Sequence, residues 1–375
     1  MKNLETLLKD YGISVIRDAD FYLELSEKYN LPVSEIRFID LNRTGVYLPN
    51  KEVRVGFRAR VLTHLNTSQP RTTYFAAPVR GLSDTEFCVI NKELRFKEQV
   101  LGYVEKVELD TCDVSYMRGP TKLNLNSRSR GECGGCRACV HNYKDLYDET
   151  VLKDNRPLVT QEQISAFFDD LEKRGVDISS LEQIAVVTGL FHGENNVITH
   201  LEIIKKVTAP RGFSGELLYF GSEVNSRKAL EKMRELGNVA LVYSVDNFTK
   251  RDKILHKIKA EIDLNKARET LFLAKELGVQ TTYAYIDGID NIDIIEKEAR
   301  KFMECITRFP IINIYQVQTP GQIEIMDTYA KFLSYYLESR IIFEELFKNS
   351  GMRSRRWENY RPLWYDFFNG ETLKE

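Results

Sequence analysis

Residues 184–207 read IAVVTGLFHGENNVITHLEIIKKV, an apolar run followed by a segment with helical spacing. The run at 184–191 has the length and composition of a buried strand. From Val197 to Val207 the apolar residues return at intervals of three and four, as they do on one face of a helix. This stretch therefore predicts one strand–helix unit.

The same unit recurs on both sides of this stretch. Strands are predicted at 121–126, 217–220, 239–245, 279–286 and 311–317, and helices at 160–173, 226–236, 266–277 and 292–306. Thr160 and Gln163 have the spacing of a capping box, and Gly237 and Gly278 stand where helix C-caps are expected. Six strands alternating with five helices require parallel strands and right-handed crossovers. A closed barrel would need two more units, so the sequence predicts an α/β fold, a partial (β/α)6 TIM-type barrel.

The segments on either side of this array have different patterns. Helical spacing up to about residue 30 and short alternating runs from about 45 predict an N-terminal helix plus a small β-rich domain over residues 1–115. The barrel is then predicted over 116–322. A helical pattern followed by an aromatic, basic segment predicts a C-terminal extension over 323–375. Aromatic residues in that tail indicate either packing over the barrel or a substrate box: Trp357, Tyr360, Trp364, Tyr365 and Phe367.

Charge and hydropathy exclude several classes of protein. The formal net charge of the 375 residues is −2, which favours neither DNA nor an anionic membrane as a partner. No apolar run approaches the roughly 18–20 residues of a spanning helix, and the N-terminus has no signal-peptide core, so a cytoplasmic protein is expected. Residues 41–130 hold 15 lysines and arginines against nine acidic residues. That excess indicates a solvated basic face or a docking surface for an anionic substrate.

Three cysteines lie close together in GECGGCRACVH, residues 131–141. Thiolates at two-residue spacing select zinc or an iron–sulfur cluster, and three sulfurs leave one metal position free. Cys133, Cys136 and Cys139 with His141 could instead form a structural zinc site, and an electron-transfer cluster is a further alternative. The remaining cysteines are single and are expected to be small buried residues: Cys88, Cys112 and Cys305.

Polar, glycine-associated groups follow several predicted strands. Ligands of parallel βα arrays bind beyond the carboxyl ends of the strands, so these groups predict a site at one rim. The groups are His192-Gly193-Glu194, Ser244 with Asp246, Asp287-Gly288 with Asp290, and the segment 316–321. Three simpler interpretations stay open. Glu194 could be a helix N-terminal carboxylate, Ser244 and Asp246 a helix N-cap pair, and Asp287 with Asp290 a turn.

The strand, the three-cysteine loop and the glycine–glutamate after the second strand together resemble the radical S-adenosylmethionine superfamily. The resemblance covers about residues 116–322 and implies a [4Fe–4S] cluster held by Cys133, Cys136 and Cys139. The fourth iron would be chelated by S-adenosylmethionine. His192-Gly193-Glu194 is similar to the family's motif that accepts hydrogen bonds from the ammonium group of S-adenosylmethionine.

The resemblance extends to two further strands. Ser244 and Asp246 match a family position that touches the ribose or the carboxylate of S-adenosylmethionine. Gly288 matches a family position that packs against its adenine. The sequence departs from the family pattern in two places. Two residues separate Cys133 from Cys136, where the family has three, and Ala138 precedes the last cysteine, where the family has an aromatic residue. Both suggest a divergent subfamily.

The reaction implied by the resemblance is reductive cleavage of S-adenosylmethionine to a 5′-deoxyadenosyl radical, which abstracts hydrogen from a substrate. An oxygen-sensitive enzyme is implied, with an electron donor such as flavodoxin or ferredoxin as its partner. No general base is nominated. The substrate stays open between a nucleotide, a sugar phosphate, RNA and a peptide, with a weak preference for an anionic molecule. The competing class is a non-enzymatic binding protein whose loop is stapled by zinc.

Overall fold

A computed structural model describes residues 19–49, 55–61, 71–82, 84–109, 115–127, 135–139, 158–187, 191–356 and 358–373. Its helices are α1 Ala19–Tyr29, α2 Val33–Thr44, α3 Gln161–Lys173, α4 Glu194–Thr208, α5 Arg227–Glu235, α6 Arg251–Ile254, α7 Lys257–Ala260, α8 Leu264–Glu276, α9 Ile292–Arg300, α10 Pro320–Ile323 and α11 Leu333–Phe347. Its strands are β1 Val46–Tyr47, β2 Val55–Val61, β3 Arg71–Ala77, β4 Val79–Arg80, β5 Phe87–Ile90, β6 Glu93–Phe96, β7 Gln99–Leu109, β8 Tyr116–Gly119, β9 Lys122–Leu125, β10 Gln183–Val187, β11 Glu216–Gly221, β12 Val239–Asp246, β13 Gln280–Asp287, β14 Ile311–Ile314, β15 Phe367–Phe368 and β16 Glu371–Thr372.

The sheet formed by β8 to β14 confirms the partial barrel. Strands β9 to β14 lie side by side in chain order and all pair in parallel, while β8 pairs antiparallel with β9. Each connection within the parallel part contains a helix. Consecutive helices contact one another, α3 on α4, α4 on α5, α5 on α8 and α9 on α11. The helices therefore form one layer on one face, and the sheet curls into a half-barrel as right-handed crossovers require.

Local sequence accounts for the helix boundaries in this half. The Thr160 side chain accepts from the Gln163 N–H, and the Gln163 side chain accepts from the Thr160 N–H, so the predicted capping box opens α3. Ser226 caps α5 in the same way, accepting from the Ala229 N–H at 3.2 Å. Gly237 follows α5 with a φ of +97°, a backbone conformation that favours glycine.

The other seven-stranded sheet forms the β-rich N-terminal part. Its seven strands run in the order β3, β2, β7, β6, β5, β1, β4, and all pairs are antiparallel except those of β1 with β4 and β5. Helix α2 packs against β3 and contacts both α11 and β14. The N-terminal part therefore lies against the β14 side of the half-barrel. The domain boundaries at 115 and 322 stay predictions.

The C-terminal tail bridges the two sheets. Pro362 pairs with Asn313 on the outer edge of β14, and the Ile314 N–H donates to the Arg361 carbonyl at 2.8 Å. On the other side, the Ala76 N–H of β3 donates to the Tyr360 carbonyl at 2.7 Å. Because β3 and β14 are both edge strands, the tail covers two rows of backbone groups that would otherwise be exposed.

A buried ion-pair cluster fastens the tail to helices α2 and α11. The fully buried Arg340 guanidinium donates to Glu35 at 2.6 Å and to Glu344 at 2.9 Å. Glu35 also accepts from backbone N–H groups of Tyr365 and Phe367. Trp364 is fully buried and donates to Glu344 at 2.8 Å, so the described tail aromatics favour the packing interpretation over the substrate box. Trp357 lies outside the described residues.

Some predicted boundaries were wrong. The helical pattern of the C-terminal extension begins at about residue 322 in the sequence, whereas α11 begins at Leu333. Residues before it turn inward instead, with Ile323 and Ile325 buried beside the cysteine loop. The Asp327 N–H donates to the Gly288 carbonyl at 2.9 Å. Tertiary contacts at the barrel mouth therefore outweigh local helix propensity there.

Candidate functional site

The described part of the cysteine loop, residues 135–139, lies at the carboxyl ends of the parallel strands. The Cys139 N–H donates to the Cys136 carbonyl at 2.8 Å, so the two cysteines share one turn. The Arg137 N–H donates to the Ile254 carbonyl at 2.8 Å, which attaches that turn to the loop after β12. Cys136 and Ala138 pack against a buried apolar cluster formed by the segments after β12 and β14. Cys133 lies outside the described residues.

The Cys136 sulfur lies in a shielded environment with one backbone donor. The His256 N–H donates to Cys136 Sγ at 3.1 Å. Burial raises the pKa of the Cys136 thiol to about 11, and the nearby Lys259 ammonium opposes that rise. Hydrogen bonds to sulfur and exclusion of solvent tune the potential of sulfur-ligated metals. Without a metal this environment favours the protonated thiol, and the His256 N–H is placed to bond the sulfur once a metal displaces the proton.

Ser244, Asp246 and Lys259 form a hydrogen-bonded cluster beside this turn. The Ser244 hydroxyl donates to the Asp246 carboxylate at 2.9 Å. The Lys259 ammonium donates to Ser244 Oγ at 2.7 Å and to Asp246 Oδ2 at 3.1 Å. The N-cap interpretation of Ser244 and Asp246 was wrong, because their side chains bond to Lys259 and to each other, and α6 begins at Arg251 after Lys250.

Lys259 carries a positive charge amid acidic neighbours. Burial by itself lowers its pKa, but Asp246, Cys136 and Glu223 outweigh that effect, and the pKa is raised. Only 23% of its side chain is exposed. The cluster therefore offers a fixed positive charge, a hydroxyl and a carboxylate to any polar ligand at this rim.

The backbone at Asp246 has an uncommon conformation. Its φ is +64°, in the left-handed region, and the pairing of β12 with β13 shifts register between Ser244 and Asp246. Non-glycine residues in this region are uncommon and are frequent at functional sites. The bulge separates Asp246 from the regular strand and turns it toward Lys259.

Glu194 is the first residue of α4, but its carboxylate caps the next helix along. Glu194 accepts from the Ser226 hydroxyl at 2.6 Å, the Ser226 N–H at 3.0 Å and the Asn225 N–H at 3.2 Å. Burial raises the pKa of Glu194, but these three hydrogen bonds together outweigh it, and the pKa is lowered. Both carboxylate oxygens of Glu194 therefore bond to the start of α5. This role is close to the interpretation of Glu194 as a helix N-terminal carboxylate, but the helix that it caps is α5.

A second carboxylate makes the reciprocal connection. Glu223, after β11, accepts from the Phe191 N–H at 3.2 Å and from the Ser222 N–H at 2.7 Å. Glu194 reaches from the loop after β10 to the loop after β11, and Glu223 reaches back. His192 and Gly193 lie in the chain between Phe191 and Glu194, the two residues that make these connections. His192 is exposed. Gly193 has a φ of +88° and open space around the position that a Cβ atom would take. The accessible groups here are those of His192 and Gly193.

Gly288 follows β13 with a φ of +113°. A Cβ atom there would lie 2.6 Å from Tyr336 Oη and 3.1 Å from Tyr315 Cβ, so the glycine is required by protein packing. Asp290 accepts from the Phe248 N–H at 2.7 Å and the Thr249 N–H at 2.8 Å. Asp290 therefore connects the loop after β13 to the loop after β12. The sequence pattern suggests only a local turn formed by Asp287 and Asp290. The adenine contact of Gly288 stays a prediction.

The structure brings part of the predicted site together. Cys136, Cys139, Ser244 and Asp246 lie near one another, and Lys259 joins them. His192, Gly193 and Glu194 follow β10, which lies two strands away from β12, and only the Glu194 carboxylate reaches the loop after β11. Their ligand contacts stay predictions. Within the described residues, no three His, Cys, Asp or Glu side chains are grouped closely enough to hold a metal ion.

Sequence reasoning missed Lys259, Glu223 and Gln322. Lys259 lies in a lysine- and arginine-rich run, 250–259, that resembles a solvated face. Glu223 has the signal that led to Glu194, a carboxylate just after a strand, and could have been found by it. Gln322 carries no such signal.

No protein-family model and no curated protein matches the chain. Several solved structures are similar to it, three of which are the following. HydG, the FeFe-hydrogenase maturase of Carboxydothermus hydrogenoformans, is 12% identical with a TM-score of 0.40, over 59% of this chain and 51% of that one. SuiB of Streptococcus suis is 11% identical with a TM-score of 0.39, over 64% and 54%. TsrM of Kitasatospora setae, a radical S-adenosylmethionine methyltransferase with cobalamin and a [4Fe-4S] cluster bound, is 11% identical with a TM-score of 0.34, over 54% and 36%.

The similar region covers about half the length of the first two of these structures and about a third of TsrM. At such low identities and TM-scores, the functional assignment depends on this chain's own site. No helix in the described part of the chain has both the length and the apolar character to cross a membrane.

Proposed function

We propose that this chain is a radical S-adenosylmethionine enzyme. The observation that carries the proposal is the position of the Cys136–Cys139 turn at the carboxyl-end mouth of a six-stranded parallel half-barrel. There the turn lies beside the Ser244–Asp246–Lys259 cluster. A zinc staple needs no such set of polar groups beside it. The site therefore favours a bound polar ligand over the zinc-stapled binding protein.

Cys133, Cys136 and Cys139 would hold a [4Fe–4S] cluster, with S-adenosylmethionine as its further ligand. When bound, the cluster and S-adenosylmethionine supply reductive sulfonium cleavage and a carbon radical that abstracts hydrogen from a substrate. The chain's own groups bind and orient. The buried apolar cluster around Cys136 excludes water, and Ser244, Asp246 and Lys259 provide charged and hydrogen-bonding partners.

The site test is anaerobic purification followed by iron and sulfide analysis. We expect a brown protein with broad absorption near ~400 nm, since zinc thiolate has no such band. After reduction with dithionite, incubation with S-adenosylmethionine should release 5′-deoxyadenosine. Its absence from a fully iron-loaded, reduced sample would refute the proposal.

Two cysteine variants form a matched pair for this test. Cys136→Ala should abolish both the absorption and the 5′-deoxyadenosine. Cys305→Ala should retain both, because Cys305 is buried outside the site and its thiol donates only to the Phe302 carbonyl at 3.1 Å. Equal loss in both variants would show that general destabilisation, rather than ligand loss, causes the effect.

An electron donor such as flavodoxin or ferredoxin, a cytoplasmic location and an anionic substrate belong to the same proposal. The electron donor follows from the reaction, which consumes one electron. The substrate preference is supported only by the charge excess of residues 41–130, and a nucleotide, sugar phosphate, RNA or peptide would each be compatible with it.

A further inference from the structure

Gln322 connects the segment after β14 to the cysteine turn. Its side chain is 2% exposed, and both ends of its amide are hydrogen-bonded. The Oε1 atom accepts from the Gln318 N–H at 2.7 Å, and the Nε2 atom donates to the Arg137 carbonyl at 3.3 Å. One buried amide therefore bonds both its own loop and the residue that follows Cys136.

The backbone of Gln322 is held as well. Tyr315 Oη donates to the Gln322 carbonyl at 3.1 Å, and Tyr315 is itself buried next to β14. Because the neighbouring strand and loop restrain Gln322, its side-chain amide is a fixed donor rather than a mobile one. Such a donor can impose a position on its acceptor.

The backbone of Arg137 restrains the cysteine turn from two sides. Between Cys136 and Cys139, the Arg137 N–H is bonded to the Ile254 carbonyl and the Arg137 carbonyl to Gln322. The first bond fixes the turn to the loop after β12, and the second fixes it to the loop after β14. Two bonds on opposite sides of one peptide segment define its orientation. The side chains of Cys136 and Cys139 are attached to the two ends of this segment.

We infer that Gln322 is a positioning residue that orients the Cys136–Cys139 turn so that both thiols face one metal group. That this group is an iron–sulfur cluster rests on the proposed function. The orientation itself does not, since any metal bound by the two thiols would depend on it. Gln322 therefore acts through the Arg137 carbonyl and touches no reacting atom.

Gln318 provides a matched control in the same loop. Among the described residues its buried side-chain Nε2 has no hydrogen-bond partner, and its backbone N–H is the group that bonds to Gln322. Gln318→Met keeps that N–H and should leave the turn unchanged. Gln322→Met has the same change of side chain but removes both the donation to Arg137 and the acceptance from the Gln318 N–H. Gln322→Glu still accepts from the Gln318 N–H, yet as a carboxylate it has no donor for the carbonyl.

The experiment is a cobalt(II) titration of the reduced metal-free full chain, followed by its thiolate-to-cobalt absorption band. Loss of the donation to Arg137 should weaken cobalt binding roughly three- to ten-fold in Gln322→Glu and at least as much in Gln322→Met, with Gln318→Met equal to the wild type. In parallel, the reconstituted variants should show a changed electron paramagnetic resonance spectrum of the reduced cluster. Far-UV circular dichroism reports whether each variant folds.

The outcomes separate the inference from the proposed function. Cobalt affinities of folded Gln322→Glu and Gln318→Met within two-fold of each other would overturn the inference. Weaker cobalt binding in the Gln322 variants, together with a wild type that takes up no iron–sulfur cluster, would support the inference and refute the proposed function. If Gln322→Met fails to fold, the comparison rests on Gln322→Glu.

Discussion

Replacing Asp287 by asparagine should remove a pH-dependent part of the stability of the chain. Asp287 ends β13 and is fully buried against α11, where Ser339 Oγ donates to its Oδ1 at 3.0 Å. Within the described part of the chain, its Oδ2 accepts no hydrogen bond of ordinary geometry. Burial raises the pKa of this carboxyl to about 8, and the nearby Asp290 carboxylate acts in the same direction, although the Tyr335 hydroxyl and the Gly288 N–H lower the pKa somewhat.

The sign follows from where the proton is held. The usual pKa of 3.8 applies to the unfolded chain, so between about pH 4 and pH 8 the folded protein retains a proton that the unfolded chain has lost. The contribution of Asp287 to the free energy of unfolding is fully present below pH 4 and is lost as pH rises to about 8. The slope is about 1.4 kcal/mol per pH unit and halves as pH reaches 8, so the loss between pH 6 and pH 8 is roughly 2 kcal/mol.

The assay is urea unfolding of wild type and Asp287→Asn at about pH 6, 7 and 8. Asparagine keeps the acceptor for Ser339 and has no charge to bury, so its stability advantage over the wild type should grow with pH and level off above pH 8. Titrating groups that do not interact with Asp287 are common to both proteins and cancel in the difference, so the measured change belongs to the pair of Asp287 and Asp290. A constant difference across this range would refute the reasoning, because it would mean that Asp287 is ionised throughout.

Three further variants test the packing and the mouth. Arg340→Met should destabilise the fold by about 3–5 kcal/mol in urea unfolding, because two buried carboxylates lose their counter-charge, whereas Arg174→Met at an exposed pair should cost less than about 1 kcal/mol. Thr160→Ala should cost about 1 kcal/mol by removing the cap of α3, and an unchanged midpoint would contradict the capping box. Lys259→Met should cost about 3 kcal/mol, and adding Asp246→Asn should restore most of it in a double-mutant cycle.

The half-barrel was predictable because its signals are local. Each strand is a short apolar run, and each helix has apolar residues on one face, so the type of element depends on neighbours in sequence. Caps such as Thr160 and Ser226 lie within three residues of the groups they bond. The bridging of two sheet edges by residues 360–362 was not predictable, since it depends on partners at Ala76 and Ile314 that only the folded chain brings together.

The site was predictable in its location and less so in its contacts. Strand ends located Glu194, Ser244 and Asp246, because parallel strands place their carboxyl ends at one edge. Their partners lie far away in sequence or in segments that appear solvated. Glu194 bonds to Ser226, and Asp246 bonds to Lys259, which stands in a basic run. A sequence pattern gives the residue type at a rim and leaves open whether that residue faces a ligand or another loop.

The short spacing of the cysteines has a structural consequence at this rim. A loop with only two residues between its thiols has few backbone groups with which to fold on itself, so its orientation depends on bonds to neighbouring segments. Those bonds are present: Ile254 and Gln322 hold Arg137 from two sides, and the His256 N–H reaches Cys136 Sγ. The segments after β12 and β14 supply these bonds. A ligand that contacts Ser244 or Asp246, at the end of β12, would therefore also restrain the segment that holds the thiols in place. We therefore expect ligand binding at this rim and metal binding by the turn to stabilise each other.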